Sequence, residues 1–128
     1  MCELVKIKTN FGEEVSIAEI KREHISNLIK HAENCKPIIE IILFGSSIEE
    51  RCTSSSDIDI AIISNKTVTE LDKTSSFKRF LFNVHSFDIA QEYDRLYFKS
   101  FDEIEKNKDN IPICKELIQK GKRIYRRS

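Results

Sequence analysis

The spacing of apolar residues changes period several times along this chain, and each change marks a boundary. Residues 3–9 alternate apolar and polar through Leu4, Val5 and Ile7, and Asn10-Phe11-Gly12 supplies a turn, so a short strand or arm is predicted there. Ser16 followed by Glu19 fits a capping box. Ile17, Ile20, His24 and Leu28, with Ile25 and Ile29, then recur at helical spacing, which predicts an amphipathic helix over residues 16–34. Pro37 stops it. Residues 38–44 are short, β-branched and bounded by Pro37 and Gly45, the signature of a buried strand.

A short helix is expected over residues 47–51 and a polar loop over 53–56, before an isoleucine-rich strand over 57–63. Thr69 opens a helix whose inner face carries Phe77, Phe80, Leu81 and Val84, with Phe82 counted among the core aromatics. Residues 86–91, with Phe87 and Ile89 alternating about Asp88, predict a third strand. Asp94 begins a helix to about Lys106. Asn110 caps a last helix holding Pro112, Leu117 and Ile118, with Gly121 at its end, and residues 122–125 form a final strand. Cys114, on the apolar side of that helix, reads as core. Strands and helices alternate without a repeat. The expected fold is α/β (or α+β): a mixed β-sheet flanked by helices in one domain over residues 1–128, with the core at 36–125 and an N-terminal strand and helix at 1–35.

Composition narrows the function. With 128 residues the chain can bury a core without staples. Lysines plus arginines number 21 and aspartates plus glutamates 21, a balance that makes nucleic acid an unlikely partner, because coating it needs a net positive field. A basic run near the end, Lys120, Lys122, Arg123, Arg126 and Arg127, is read as solvated charge. Cys2, Cys35, Cys52 and Cys114 form neither a C-x-x-C pair nor a zinc pattern. No secretory or membrane-spanning stretch is visible, so free thiols in a reducing cytoplasm are expected. His24 and His31 share a helical face but have no third ligand in view, and His85 stands near Asp88.

The chemistry concentrates in one constellation: Gly45-Ser46, ten residues, then Asp57-Ile58-Asp59. Gly45 falls where an apolar strand ends and a helical turn begins, so backbone N–H groups there can approach a phosphate closely. Ser46 adds a hydroxyl donor. Period-two geometry sends the Asp57 and Asp59 carboxylates to one face of their strand. An aspartate pair at a strand boundary can be a solvated end or a turn cap. Two carboxylates side by side on a packed sheet instead suit a hard divalent cation, which relieves their repulsion and leaves positions for phosphate oxygens. Two such ions about 3.5–4 Å apart would serve both the attacking and the leaving oxygen of nucleotidyl transfer. Beyond Asp59 the same face runs through Ala61 and Ile63 into the core. Asp88, flanked by Phe87 and Ile89, is the expected third carboxylate, bridging a metal or acting as base on an incoming hydroxyl.

This constellation resembles the minimal nucleotidyltransferases of the DNA polymerase beta superfamily, over residues 36–125. The resemblance implies a mixed sheet flanked by helices, ATP or another NTP as donor, and two magnesium ions held by Asp57, Asp59 and Asp88. It implies nucleotide contacts at Gly45, Ser46, Ser47 and Ser56. It also implies a protein partner, since many small members act as antitoxins that transfer AMP to a hydroxyl of an all-helical HEPN-type toxin. Two positions depart from the common pattern: Ser47 stands where many relatives carry a basic residue, and Glu50 where many carry a glycine. Arg51, or a lysine elsewhere, would then neutralise the phosphates. The departures also allow an alternative, a weak or inactive nucleotidyltransferase-fold module that neutralises its partner by stoichiometric binding.

Overall fold

The structure is a computed structural model that describes residues 1–128. The chain opens with a hairpin of β1 (Leu4–Lys8) and β2 (Glu14–Ala18), turned at Gly12 with φ +87°. Ser16 pairs with Lys6 inside this hairpin, so it caps no helix. Val15 and Ile17 face their partners Ile7 and Val5 across the ladder, an alternation that the helical reading of residues 16–34 overlooked. After a 3-10 turn at Glu19–Lys21, helix α1 (Arg22–Ala32) begins six residues later than expected and turns Ile25, Leu28 and Ala32 inward. The hairpin is pinned to the far end of the chain by Asn10. Its amide nitrogen donates to the Arg126 carbonyl at 2.6 Å, and its oxygen accepts from the Arg126 N–H at 2.9 Å.

The main sheet has four strands: β3 (Glu40–Phe44), β4 (Ile58–Ile63), β5 (Tyr93–Phe98) and β6 (Lys122–Arg126), in the order β5-β4-β3-β6. β3 runs antiparallel to β4 and β6, whereas β4 and β5 are parallel, so the sheet is mixed. The helices are α2 (Val68–Lys73), α3 (Ser75–Phe87), α4 (Phe101–Lys106) and α5 (Pro112–Gln119). Period-two alternation divides the core. Ile41, Leu43, Ile58, Ile60 and Ile62 pack beneath α1 and α3, against Leu28, Phe77, Phe80 and Val84. Ile42, Phe44, Ala61 and Ile63 face the other way, onto Ile104 of α4 and Cys114 and Leu117 of α5. Each fully buried isoleucine contributes about 2 kcal/mol.

Two expectations for the third strand fail together. The apolar stripe of α3 persists to Phe87, so residues 86–91 are a helix end and a turn. Ile89, assigned there to a buried strand, is 91% exposed. The strand falls later, at β5, within the stretch read as a helix from Asp94 to Lys106. Only α4 is helical in that stretch, capped by the Ser100 hydroxyl on the Glu103 N–H at 3.2 Å. Thr74 also divides the expected long helix, closing α2 and capping α3. Phe82 lies on the outer side of α3 and is 70% exposed, so it is not a core residue.

Candidate active site

Three strand ends meet at one edge of the sheet, on the face covered by α4 and α5. Phe44, the last residue of β3, pairs with Asp59, the second of β4, and Asp59 pairs on its other side with Asp94, the second of β5. Asp57 immediately precedes β4. Beyond Asp59 and Asp94 the same faces continue as Ala61 and Ile63, and as Leu96 and Phe98, all packed with the α4–α5 side of the core. Each strand thus starts with a carboxylate and becomes apolar two residues later.

Gly45 closes this corner from above. Its φ of +71° lies in the left-handed region that residues with a Cβ avoid. A Cβ built there would overlap the Asp59 carboxylate oxygen, so the glycine brings backbone onto the acidic pair as closely as the chain permits. The chain then makes a 3-10 turn over Gly45–Ile48. Ser46 is buried, and the Ser47 hydroxyl is fully buried with no hydrogen-bond partner. Such an orphaned polar group is costly unless something satisfies it.

The Asp59 carboxyl is pushed up to about 6. Burial is the largest cause, followed by the hydrogen-bonding contact and charge of Asp94, then the charges of Asp57 and Glu116. Asp94, its partner in the β4–β5 register, therefore bears directly on the Asp59 carboxyl. No three acidic, histidine or cysteine side chains converge into a finished ion cage; the site is a facing pair with Asp57 beside it. That donor set fits magnesium, which usually takes one or two protein carboxylates and completes its shell with water and phosphate oxygens. The repulsion recorded in Asp59 is what a bound cation would relieve.

A small depression of about 80 Å³ adjoins the corner, lined by Gly45, Ile48, Glu49, Arg51, Glu116 and Lys120. Arg51 pairs with Glu49 at 2.7 Å, and Lys120 reaches the depression from beyond the end of α5. These two basic side chains share the depression with the Gly45 turn, where Ser47 provides none.

The expected site residues separate accordingly. Gly45, Ser46, Ser47, Asp57 and Asp59 are brought together. The Ser56 hydroxyl instead closes its own loop, accepting from the Thr53 N–H at 2.9 Å and lying 3.1 Å from the Thr53 hydroxyl. Asp88 is not brought to the cluster. It caps the C-terminus of α3 on the opposite side of the sheet and bonds His24 of α1 at 2.8 Å. That bond is the main reason its carboxyl lies below the usual range. His85 stands edge-on to Tyr93, centroids 5.5 Å apart, also away from Asp59, and burial lowers its pKa. The carboxylate that sequence reasoning missed is Asp94. Its signal was present: Asp94-x-Leu96-x-Phe98 repeats the order of Asp59-x-Ala61-x-Ile63, a carboxylate followed by two inward apolar residues. The basic run near the end is also divided. Arg127 binds the carbonyls of Ala32, Cys35 and Ile38 at 2.8–3.0 Å, and Arg123 pairs with Glu40 at 3.4 Å.

A glycine turn over paired aspartates at the edge of a mixed sheet, with helices on both faces, defines a nucleotidyltransferase-type domain. The family model described as "Polymerase beta, Nucleotidyltransferase" matches residues 23–128, and the chain belongs to that family. No curated protein sequence matches the chain. Membership implies an NTP substrate and a divalent metal in general. No helix is long and apolar enough to cross a membrane.

Proposed function

We propose that this protein transfers a nucleotide, AMP from ATP foremost, to a hydroxyl group on a protein partner. The observation that carries the reading is Asp59 facing Asp94 in the β4–β5 register directly beneath the Gly45 turn. Asp59 and Asp94, joined by Asp57, would hold magnesium, two ions in the full reaction. Bound there, the metal would offset the carboxylate charges and polarise the phosphoryl oxygens. Ser46, Ser47 and the backbone N–H groups of the Gly45 turn receive the phosphates, the buried Ser47 hydroxyl gaining the partner it lacks. The acceptor oxygen bonds to the α-phosphorus as the bond to the β-phosphate breaks, and Arg51 and Lys120 neutralise the outer phosphates, which leave as pyrophosphate. Asp94, exposed at the start of β5, takes the proton of the acceptor hydroxyl.

The acceptor on this reading is a small all-helical HEPN-type toxin, with the chain acting as its antitoxin as a single domain in a reducing compartment. Four cysteines without a disulfide are in keeping with that setting. Incubation with magnesium, each NTP and a lysate of the source organism, followed by intact-mass analysis, tests the proposal. A discrete AMP adduct on one small protein is expected. Absence of any adduct with all four NTPs would defeat it.

A second reading has its own support. The acidic cluster lacks a finished three-ligand cage, and Phe82, Phe87 and Ile89 leave apolar surface exposed on and just beyond α3. A module that neutralises its partner by stoichiometric masking would need the surface and not the chemistry. Neutralisation that survives Asp59→Asn would favour masking over transfer.

A further inference from the structure

Lys21 is 1% exposed, yet no carboxylate oxygen lies within salt-bridge distance of it. A buried ammonium is expensive unless its N–H groups are satisfied. Lys21 Nζ donates instead to the Gln91 side-chain oxygen at 2.5 Å and to the Ser54 carbonyl at 3.2 Å. An ammonium has no acceptor, so the Gln91 oxygen must face it and the Gln91 amide nitrogen must point away. That nitrogen donates to the Ser56 carbonyl at 3.0 Å and to the Glu92 carbonyl at 2.8 Å. Gln91 is itself buried, and the Glu92 carbonyl also accepts from the Ile58 N–H at 3.0 Å.

These bonds converge on the two segments that deliver the acidic cluster. Ser54 and Ser56 belong to the loop that ends at Asp57. Gln91 and Glu92 lead directly into Tyr93 and Asp94. The loop has little else to hold it: Thr53, Ser54 and Ser55 are exposed, and its other bonds stay within residues 52–56. One buried cation and one buried amide therefore tie the approach to Asp57 to the approach to Asp94, from the side of the sheet opposite the reaction.

We propose that Lys21 and Gln91 are positioning residues, which fix Asp57 and Asp94 relative to Asp59 through the Ser54, Ser56 and Glu92 carbonyls without touching substrate. The proposal rests on reading the acidic cluster as a metal site. It also gives α1 and the turn before it a role in the chemistry, since Lys21 closes that turn.

Gln91→Glu separates positioning from folding. A glutamate keeps an oxygen for the Lys21 ammonium but loses the amide donors to Ser56 and Glu92. Three readouts are taken on the full chain: melting temperature, amide exchange at Ser56 and Ile58, and affinity for Mn²⁺ by paramagnetic relaxation. The variant should stay folded with a melting temperature lowered by a few degrees, while exchange at Ser56 accelerates about tenfold and Mn²⁺ affinity falls about tenfold. Lys21→Met, which replaces the buried charge with an apolar chain of similar length, should produce the same two changes. Both variants folded, with wild-type exchange and wild-type Mn²⁺ affinity, would overturn the proposal. Wild-type protein that takes up no Mn²⁺ would overturn it by a different route, through the metal reading itself, and the exchange data distinguish the two failures.

Discussion

Gly45 and Asp59 share a space with no room for one more carbon: a Cβ at position 45 would overlap the Asp59 carboxylate. The glycine also holds a φ of +71°, so its conformation and its lack of a side chain serve the same approach. Gly45→Ala must therefore either move Asp59 or shift the turn. The variant should lose about 2 kcal/mol of stability, from left-handed strain and from the clash. It should lose nucleotidyl transfer by more than that fraction of unfolding explains. Chemical denaturation alongside an adduct assay separates the two effects, and wild-type activity at reduced stability would show that the close approach is dispensable.

Asp59 gives stability a pH dependence of unusual sign for a carboxylate. Its pKa rises from 3.8 to about 6 on folding, so between those values the folded state binds more protons than the unfolded state. The favourable contribution is then fully present below about pH 4 and is lost as pH rises through about 6. Asp59→Asn removes a repulsion and should stabilise the apo protein at about pH 7.5, by on the order of 1 kcal/mol once solvent screening is allowed for. Near pH 4 the gain should vanish. Thermal unfolding at both pH values measures this; equal shifts at both would mean that Asp59 is not strained by its neighbours.

Magnesium should reverse the same strain in wild type. At about a hundred times its Kd, the ion should add about 2.7 kcal/mol, read as a rise of several degrees in Tm. The rise should shrink sharply in Asp59→Asn and below about pH 5, where protons compete for the carboxylates. A Tm unmoved by Mg²⁺ or Mn²⁺ at neutral pH, with or without ATP, would count against a metal at the pair.

Asp88 and Asp94 offer a direct comparison. Asp94→Asn should abolish transfer with the fold intact. Asp88→Asn should leave transfer at its wild-type level, because that carboxylate contacts His24 behind the sheet. Its effect belongs to stability: the His24 bond lowers the Asp88 pKa, so its contribution is present at neutral pH and fades as pH falls through the acid range. Side-by-side kinetics of the two variants decide the matter, and loss of activity in Asp88→Asn alone would restore the assignment that the sequence suggested.

Sequence is readable where a local pattern alone places a residue. Gly45, Asp57 and Asp59 lie on either side of one short connection, so glycine conformation and strand period place them without reference to the rest of the chain. Asp94 is positioned by the parallel pairing of β5 with β4, and the segments between them have no fixed length, so spacing says nothing about it. Phe87 and Ile89 alternate about Asp88 just where the stripe of α3 runs out, and local period alone cannot tell a fraying helix from a strand. Ser16 mimics a helix cap because a polar residue followed by Glu three positions later occurs in hairpins as well as at caps. Lys21 and Gln91 carry no sequence signal, since burial of a lysine becomes visible only when its acceptors are in place.

The order of strands has a consequence for how the protein is made. β3, which ends at Gly45, pairs on one side with β4 and on the other with β6, the latest in sequence of the four strands of this sheet. While residues 122–126 are still untranslated, the nascent chain exposes an uncovered edge of Ile41, Ile42 and Leu43, the kind of surface that recruits chaperones or aggregates. The strand that carries the glycine of the acidic corner is thus sealed only by a segment about eighty residues downstream.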